Sequence, residues 1–327
     1  MVIFFRDKSI VAVVFLVALC LLVHFHFFIT PAQVTVSDDD GILSILLARY
    51  IQPLPSTFLF IIYITLILVQ AVRLDLVLNE IKMFQQTGFT TAMSYVLLSG
   101  FIPQWCSVTP ALVANLLVIW IFVKLSKLYN NPSPKTLLFN TGLVVGLTVL
   151  SYHPTALLVP VVLFALMVVR PFKLTEWFVL LMGIITPYYF LLSVLFLTDK
   201  MSLMERFTPE LLFNLPLQHA DVWLWINLSA LLLLLLVGFY FWSPANNRMV
   251  IQLRKNWGVM MVLLLILLPV SFIFKKAGIE SAMLIIVPFA AFVSNAFLNP
   301  KKLLLPNLLF WIALAIIIHN DWELIKL

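Results

Sequence analysis

The sequence predicts an all-α fold: a polytopic transmembrane helical bundle of about 11 spans with a cytoplasmic N-terminus. Three observations predict it. Of 327 residues, 63% are hydrophobic and only 10% charged, whereas soluble domains carry about 25% charged residues. The apolar residues fall in runs suited to crossing a hydrocarbon core about 30 Å thick at about 1.5 Å per residue. The basic residues, finally, are shared unequally between alternate connecting segments, as the positive-inside rule requires. No long polar stretch divides the chain, so residues 1–327 read as a single integral membrane domain. Membrane lipid is the expected surrounding, and no nucleic-acid partner is expected.

Arg6 and Lys8 precede the first apolar run, Ser9 to Ile29. That run is long for a signal-peptide core and is followed by Thr-Pro-Ala-Gln rather than a small-x-small site, so it reads as a retained span. Further helices are expected near 54–72, 88–104, 109–126, 137–152, 155–169, 174–198, 223–242, 257–274, 281–298 and 303–318. With the N-terminus inside, fourteen basic residues face the cytoplasm and six face outward. The six are Arg49, Lys200, Arg206, Lys275, Lys276 and Lys326. Acids run the other way: only Asp7, Asp75, Glu80 and Glu176 fall inside. Pro160, Pro187, Pro269 and Pro288 lie within spans and predict kinks. Cys20 and Cys106 have no metal-ligand spacing and read as two buried or lipid-facing thiols.

The larger outer segments are Thr30 to Pro53 and Asp199 to Val222. In the first, Asp38-Asp39-Asp40-Gly41 precedes a short amphipathic helix with Ile42, Ile45, Leu46 and Arg49 at helical spacing, capped by Ser37 or Asp38. Capping explains one aspartate. Three adjacent carboxylates repel, which raises an apparent pKa or creates an oxygen-rich site for Mg²⁺, Mn²⁺ or Ca²⁺. A solvated charged loop is the plainer alternative. His153, at the turn Ser151-Tyr152-His153-Pro154, has two readings, a positioning imidazole or an interfacial side chain. His24 and His26, two apart, fall on different faces of a continuing helix, which disfavours a shared metal. Arg206 and the pair Lys275-Lys276 lie on the side where cations are sparse, suited either to a lipid-linked phosphate or to headgroup snorkelling.

Three stretches, in order, resemble the GT-C superfamily of membrane glycosyltransferases, in particular its polyprenyl-phosphate-sugar-dependent, protein-mannosyltransferase-like branches. Asp39-Asp40-Gly41 through Ala48 is similar to the acidic pair and helix of the first outer loop. Thr109-Pro110-Ala111-Leu112 leading to Lys127, then Asn140 to Pro160, resemble a pair of helices with a glycine-rich first member and a proline-ended second. Lys275-Lys276-Ala277-Gly278-Ile279-Glu280 with Leu284 to Pro288 looks like a late outer loop in which a basic residue contacts the lipid-linked donor. Family members usually carry lysine-glycine where this chain has Tyr152-His153. They often carry a second acid after the third span, where Phe101 to Ser107 has none, and many have a sizeable extramembrane domain that is absent here. The chain is also similar to a family of uncharacterised Bacteroidota inner-membrane proteins.

The resemblance implies transfer of a sugar from a polyprenyl-phosphate donor to an acceptor at the outer leaflet. Asp39 or Asp40 would be the catalytic base, and Arg206, Lys275 and Lys276 would bind the donor phosphate. His153 would position, and Asp38, Asp39 and Asp40 would hold a divalent cation if one takes part. Two alternatives stand beside it: a non-catalytic assembly or accessory subunit with a protein partner in the membrane, and a transporter. The compact loops suit a bacterial inner membrane.

Overall fold

A computed structural model describes residues 1–37, 40–213, 222–274 and 278–326. Among them, helices are the regular structure, and two isolated bridges, Val34 with Val108 and Leu211 with Phe274, tie loops together. Among the described residues, eleven helices have ten residues or more. They are α1 (Ile10–Val23), α2 (Ser56–Glu80), α3 (Thr90–Ser99), α4 (Pro110–Ser126), α5 (Pro134–Ser151), α6 (Leu158–Val169), α7 (Leu174–Leu197), α8 (Val222–Asn246), α9 (Ile251–Leu267), α10 (Ile286–Leu298) and α11 (Leu304–Lys326). Each overlaps one of the apolar runs expected from the sequence. Among the described residues, seven helical segments are long and apolar enough to cross a membrane. The segments containing α1, α4 and α6 are shorter apolar helices, and α3 has ten residues.

Helices α3 and α10 form the centre. Every residue of α3 is buried, and in α10 only Phe289 is less than fully so. Polar groups there are satisfied across helices: the Tyr95 hydroxyl donates to Gln70 Oε1 at 2.5 Å, and Gln70 Nε2 donates to the Leu112 carbonyl at 2.7 Å. Such bonds matter in an apolar core, where an unmet amide is costly. Asp75 of α2 accepts from the Thr91 and Ala92 amides at 3.2 and 3.4 Å, so it caps the start of α3. The apolar run predicts a span ending near 72, whereas α2 continues to Glu80.

Glycines bring α5 and α7 into backbone contact. A Cβ added at Gly142, Gly146 or Gly183 would lie 2.3, 2.3 or 2.4 Å from Leu180, Ile184 or Phe139 carbonyl oxygens. Gly142 and Gly146 are four apart on one face, the small-xxx-small arrangement that lets membrane helices approach closely.

Links between connecting segments fall into two sets, one for each end of the bundle. At one end Arg6 donates to the Phe297 and Pro300 carbonyls, Lys255 to the Val169 carbonyl, and Trp257 Nε1 to the Met83 carbonyl. There, too, Arg170 pairs with Glu176 at 2.9 Å and donates to the Leu128 and Asn131 carbonyls. The other end carries Asp40, and the 3₁₀ segments of the described chain gather there: Phe25–Phe28, Pro103–Trp105, His153–Leu157, Met201–Phe207 and Ile279–Ile285.

The prolines act differently from expectation in two cases. Pro187 lies inside α7, and Pro269 separates α9 from a short turn, Val270–Ile273. Pro160 and Pro288, however, are the third residues of α6 and α10, each just after a 3₁₀ turn. In the first turn an absent N–H leaves no helical bond unmade, so these two mark helix starts.

Candidate functional site

The segment bearing Asp40 is held at three points. After Phe25–Phe28 the chain extends, and Thr35 N donates to the Val108 carbonyl at 3.2 Å while Val108 N donates to the Gln33 carbonyl at 3.0 Å. The Thr35 and Ser107 hydroxyls are 2.7 Å apart. Finally, His153 N donates to the Asp40 carbonyl at 3.1 Å, joining two residues selected from the sequence. Asp40 is 8% exposed and His153 6%.

Gly41 makes this joint. Its φ of +110° lies where L side chains are strained, and a Cβ would sit 2.7 Å from the Ser151 carbonyl oxygen. The expected short helix follows as Ile42–Leu46 and a π-helical turn, Leu47–Ile51. Two details differ from expectation. Gly41 occupies the N-cap position without a side-chain bond, in place of Ser37 or Asp38. The face turned inward carries Ser44 and Leu47, leaving Ile45, Leu46 and Arg49 exposed.

Tyr152, next to His153, is buried, and its hydroxyl lies within electrostatic reach of Asp40 and Glu280. Burial, then these two carboxylates, hold the phenol well above its ordinary pKa. Tyr152 is therefore held as a neutral phenol. Glu280, the second acid within electrostatic reach of Tyr152, lies in the 3₁₀ run Ile279–Ile285 of the late loop. Trp105 Nε1 donates to the Ile279 carbonyl at 3.0 Å, and the Ser271 and Ser281 hydroxyls are 3.0 Å apart, fixing that run against its neighbours. Acid content on the predicted outer side was the sequence signal for Glu280; Trp105 offered none.

Beneath this loop lies a cavity of about 240 Å³. Leu228, Leu231 and Leu235 of α8 form one wall, and Trp105, Ser271 and Ile279 close the loop end. Ile279 thus faces the cavity while the next residue, Glu280, acts on Tyr152.

Arg206 is exposed on the 3₁₀ segment Met201–Phe207. The chain beyond it pairs with the late loop: Leu212 N donates to the Ile273 carbonyl at 2.9 Å, beside Phe274. Asp38, Asp39, Lys275 and Lys276 lie outside the described residues. The expected cation site at Asp38 to Asp40 therefore rests mainly on undescribed residues. Among the described residues, no group of three or more His, Cys, Asp or Glu side chains suits a metal ion.

The long apolar helices, the buried central pair and the small-residue packing of α5 on α7 define a helical integral membrane protein. The chain belongs to a family of unknown function, DUF6427, whose pattern matches residues 40–327. No curated protein and no solved structure matches it.

Proposed function

We propose that this protein is a membrane glycosyltransferase of the GT-C kind, which transfers a sugar from a polyprenyl-phosphate donor to an acceptor hydroxyl at the outer leaflet. The observation that carries the reading is that two carboxylates, Asp40 and Glu280, lie within electrostatic reach of the buried Tyr152, and that Glu280 directly follows Ile279, which lines an apolar cavity. In this reading the N-terminus is cytoplasmic, α1 to α11 are eleven crossings, and the Asp40 end faces outward across a bacterial inner membrane. The loop-to-loop bonds at that end support it, since they bring the Asp40 segment to His153 and tie the late loop to Trp105.

The donor's isoprenoid chain occupies the leucine-walled cavity, bringing its phosphate to the loop end. Asp39 or Asp40 takes the proton from the acceptor hydroxyl, and the acceptor oxygen attacks the anomeric carbon. The bond from that carbon to the phosphate oxygen breaks, releasing polyprenyl phosphate. Arg206, Lys275 and Lys276 balance the charge that develops on the phosphate, where electrostatic help acts most strongly. Tyr152 and His153 position the Asp40 segment. A divalent cation held by Asp38 to Asp40 would add positive charge beside the phosphate.

A second reading, a non-catalytic assembly subunit, is favoured by the Asp40–Gly41 joint, which has a structural role of its own in the bond from His153. Transfer from a synthetic polyprenyl-phosphate sugar, measured in proteoliposomes, separates the two. The transferase reading expects Asp39→Asn, Asp40→Asn and Glu280→Gln to lower product formation at unchanged protein yield. Equal product from the wild type, each variant and the double aspartate variant would sink it, and a co-purifying protein needed for stability would favour the subunit.

A further inference from the structure

The cavity walled by α8 is closed at its two ends and open at its side. Toward the end of the bundle away from Asp40, α8 and α10 meet backbone to backbone: a Cβ added at Gly238 would lie 2.5 Å from the Phe292 carbonyl oxygen. Gly238 and Phe292 each lie about one turn beyond a lining residue, Leu235 and Phe289, so this contact is the floor. At the Asp40 end, the bond from Trp105 Nε1 to the Ile279 carbonyl joins two lining residues and forms the roof. The side is different. Leu232 of α8 and Leu268, at the end of α9, both line the cavity yet are 56% and 53% exposed. Leu98, Ile102 and Ile286 form its inner wall and are 1%, 2% and 1% exposed. The space therefore runs from a buried wall to a portal between α8 and α9 that faces the membrane.

The chemistry of the wall disfavours water. Its indole and hydroxyl donors are spent within the protein: Trp105 Nε1 on the Ile279 carbonyl, and the Ser271 hydroxyl on that of Ser281, which itself donates to the Gly278 carbonyl at 2.8 Å. A buried water needs about two to four polar partners, and apolar cavities stay dry. Leaving the space empty forfeits the dispersion contacts of its lining. An engineered protein cavity of about 150 Å³ takes up benzene; this one, at about 240 Å³, has room for a longer stretch of hydrocarbon. From Leu228 to Leu235 its wall extends about 10.5 Å along α8, beginning about 9 Å below Val222, the first described residue of that helix. Half of a hydrocarbon core about 30 Å thick is about 15 Å, so this is the depth of the lipid chains in the leaflet nearer Asp40.

We propose that the cavity holds one acyl chain of a membrane phospholipid, which enters sideways past Leu232 and Leu268 while its headgroup stays outside. The acyl chain is the apolar species that a surrounding bilayer supplies to that portal in greatest amount, and its burial restores the contacts that a void would lose. The occupancy stands apart from the transferase reading. One consequence rests on that reading: the donor's isoprenoid chain must displace a resident chain, so ordinary phospholipid competes with the donor.

Photolabelling tests the occupancy, using the full chain in phosphatidylglycerol nanodiscs that include a phosphatidylglycerol with a diazirine midway along one acyl chain. Adducts are expected at Leu98, Ile102 and Ile286, well above those at Leu16 and Val118, which are equally buried but do not line the cavity. Phe190 and Leu197 of α7 are exposed and report ordinary lipid contact. Ala282→Phe fills the cavity from its 3₁₀ wall. It is expected to lower the three inner-wall adducts about tenfold or more, the effect of about 1.4 kcal/mol of weakened binding, and to leave the α7 adducts unchanged. Inner-wall labelling in the wild type no higher than at Leu16 and Val118, or full inner-wall labelling of a folded Ala282→Phe protein, would overturn the proposal. The wild-type comparison decides alone if the variant fails to fold. Excess polyprenyl phosphate separates this inference from the transferase reading: fewer inner-wall adducts put both chains in one cavity, whereas undiminished adducts keep the acyl chain there and exclude the donor's.

Discussion

Replacing Gly146 with alanine is expected to force α5 and α7 apart. The added Cβ would stand 2.3 Å from the Ile184 carbonyl oxygen, and ordinary contact begins at 3.4 Å. The backbones must therefore separate by about 1.1 Å, the difference between the two distances. The obstacle is backbone, which cannot rotate away as a side-chain tip can. Overpacking of this kind costs about 1–3 kcal/mol, but alanine also gains about 1 kcal/mol over glycine within a helix. Gly258→Ala removes that ambiguity. It shares the propensity gain, yet its Cβ would meet only the Val168 Cγ1 atom, at 3.0 Å. Equilibrium unfolding of both variants in mixed detergent–SDS micelles should place Gly146→Ala about fivefold or more below Gly258→Ala in its folded-to-unfolded ratio. Equal stability of the two would refute the close-packed interface.

Other perturbations address separate contacts. Arg170→Met leaves Glu176 buried without its partner and should destabilise by about 3–5 kcal/mol in the same unfolding assay, with the double variant Arg170→Met, Glu176→Leu recovering much of the loss. Asp75→Ala strips the cap from α3 and should cost about 1–3 kcal/mol, less for Asp75→Asn, which keeps an acceptor oxygen. Burial holds the Cys106 thiol well above its ordinary pKa, so the reactive thiolate is scarce. Maleimide labelling of Cys106, which is half-buried, at about pH 8 should be slow in the folded protein and rapid once denatured; fast labelling of the folded chain would contradict the suppressed ionisation.

Hydropathy located the helices because each apolar run must be sheltered or meet lipid, and α1 to α11 follow those runs. It misjudged an end where a charge is buried by capping, as at Asp75, whose partners Thr91 and Ala92 lie beyond a turn. The two-residue spacing of His24 and His26 was interpreted on a continuous helix. In fact α1 ends at Val23 and a 3₁₀ turn follows, so the two rings serve different networks for a reason that spacing alone did not contain. The pairing of His26 with Asp321 spans almost the whole chain, and no local pattern encodes it. Asp40 and His153 were legible as chemistry-bearing residues. Their meeting, and the placing of Glu280 within electrostatic reach of Tyr152, depend on which loops lie together at one end, and that is set by tertiary packing.

The gathering of 3₁₀ segments at the Asp40 end has a mechanical consequence. A 3₁₀ helix rises about 2.0 Å per residue and an α-helix about 1.5 Å. The seven residues of Ile279–Ile285 run directly into α10, so they hold a reserve of length. Rewinding them into α-helical form would shorten the run by about 3.5 Å and turn Glu280 around the axis, without moving the buried body of α10. A change of winding in that run, against the bonds from Trp105 and Ser271, would therefore be enough to move Glu280 relative to Tyr152.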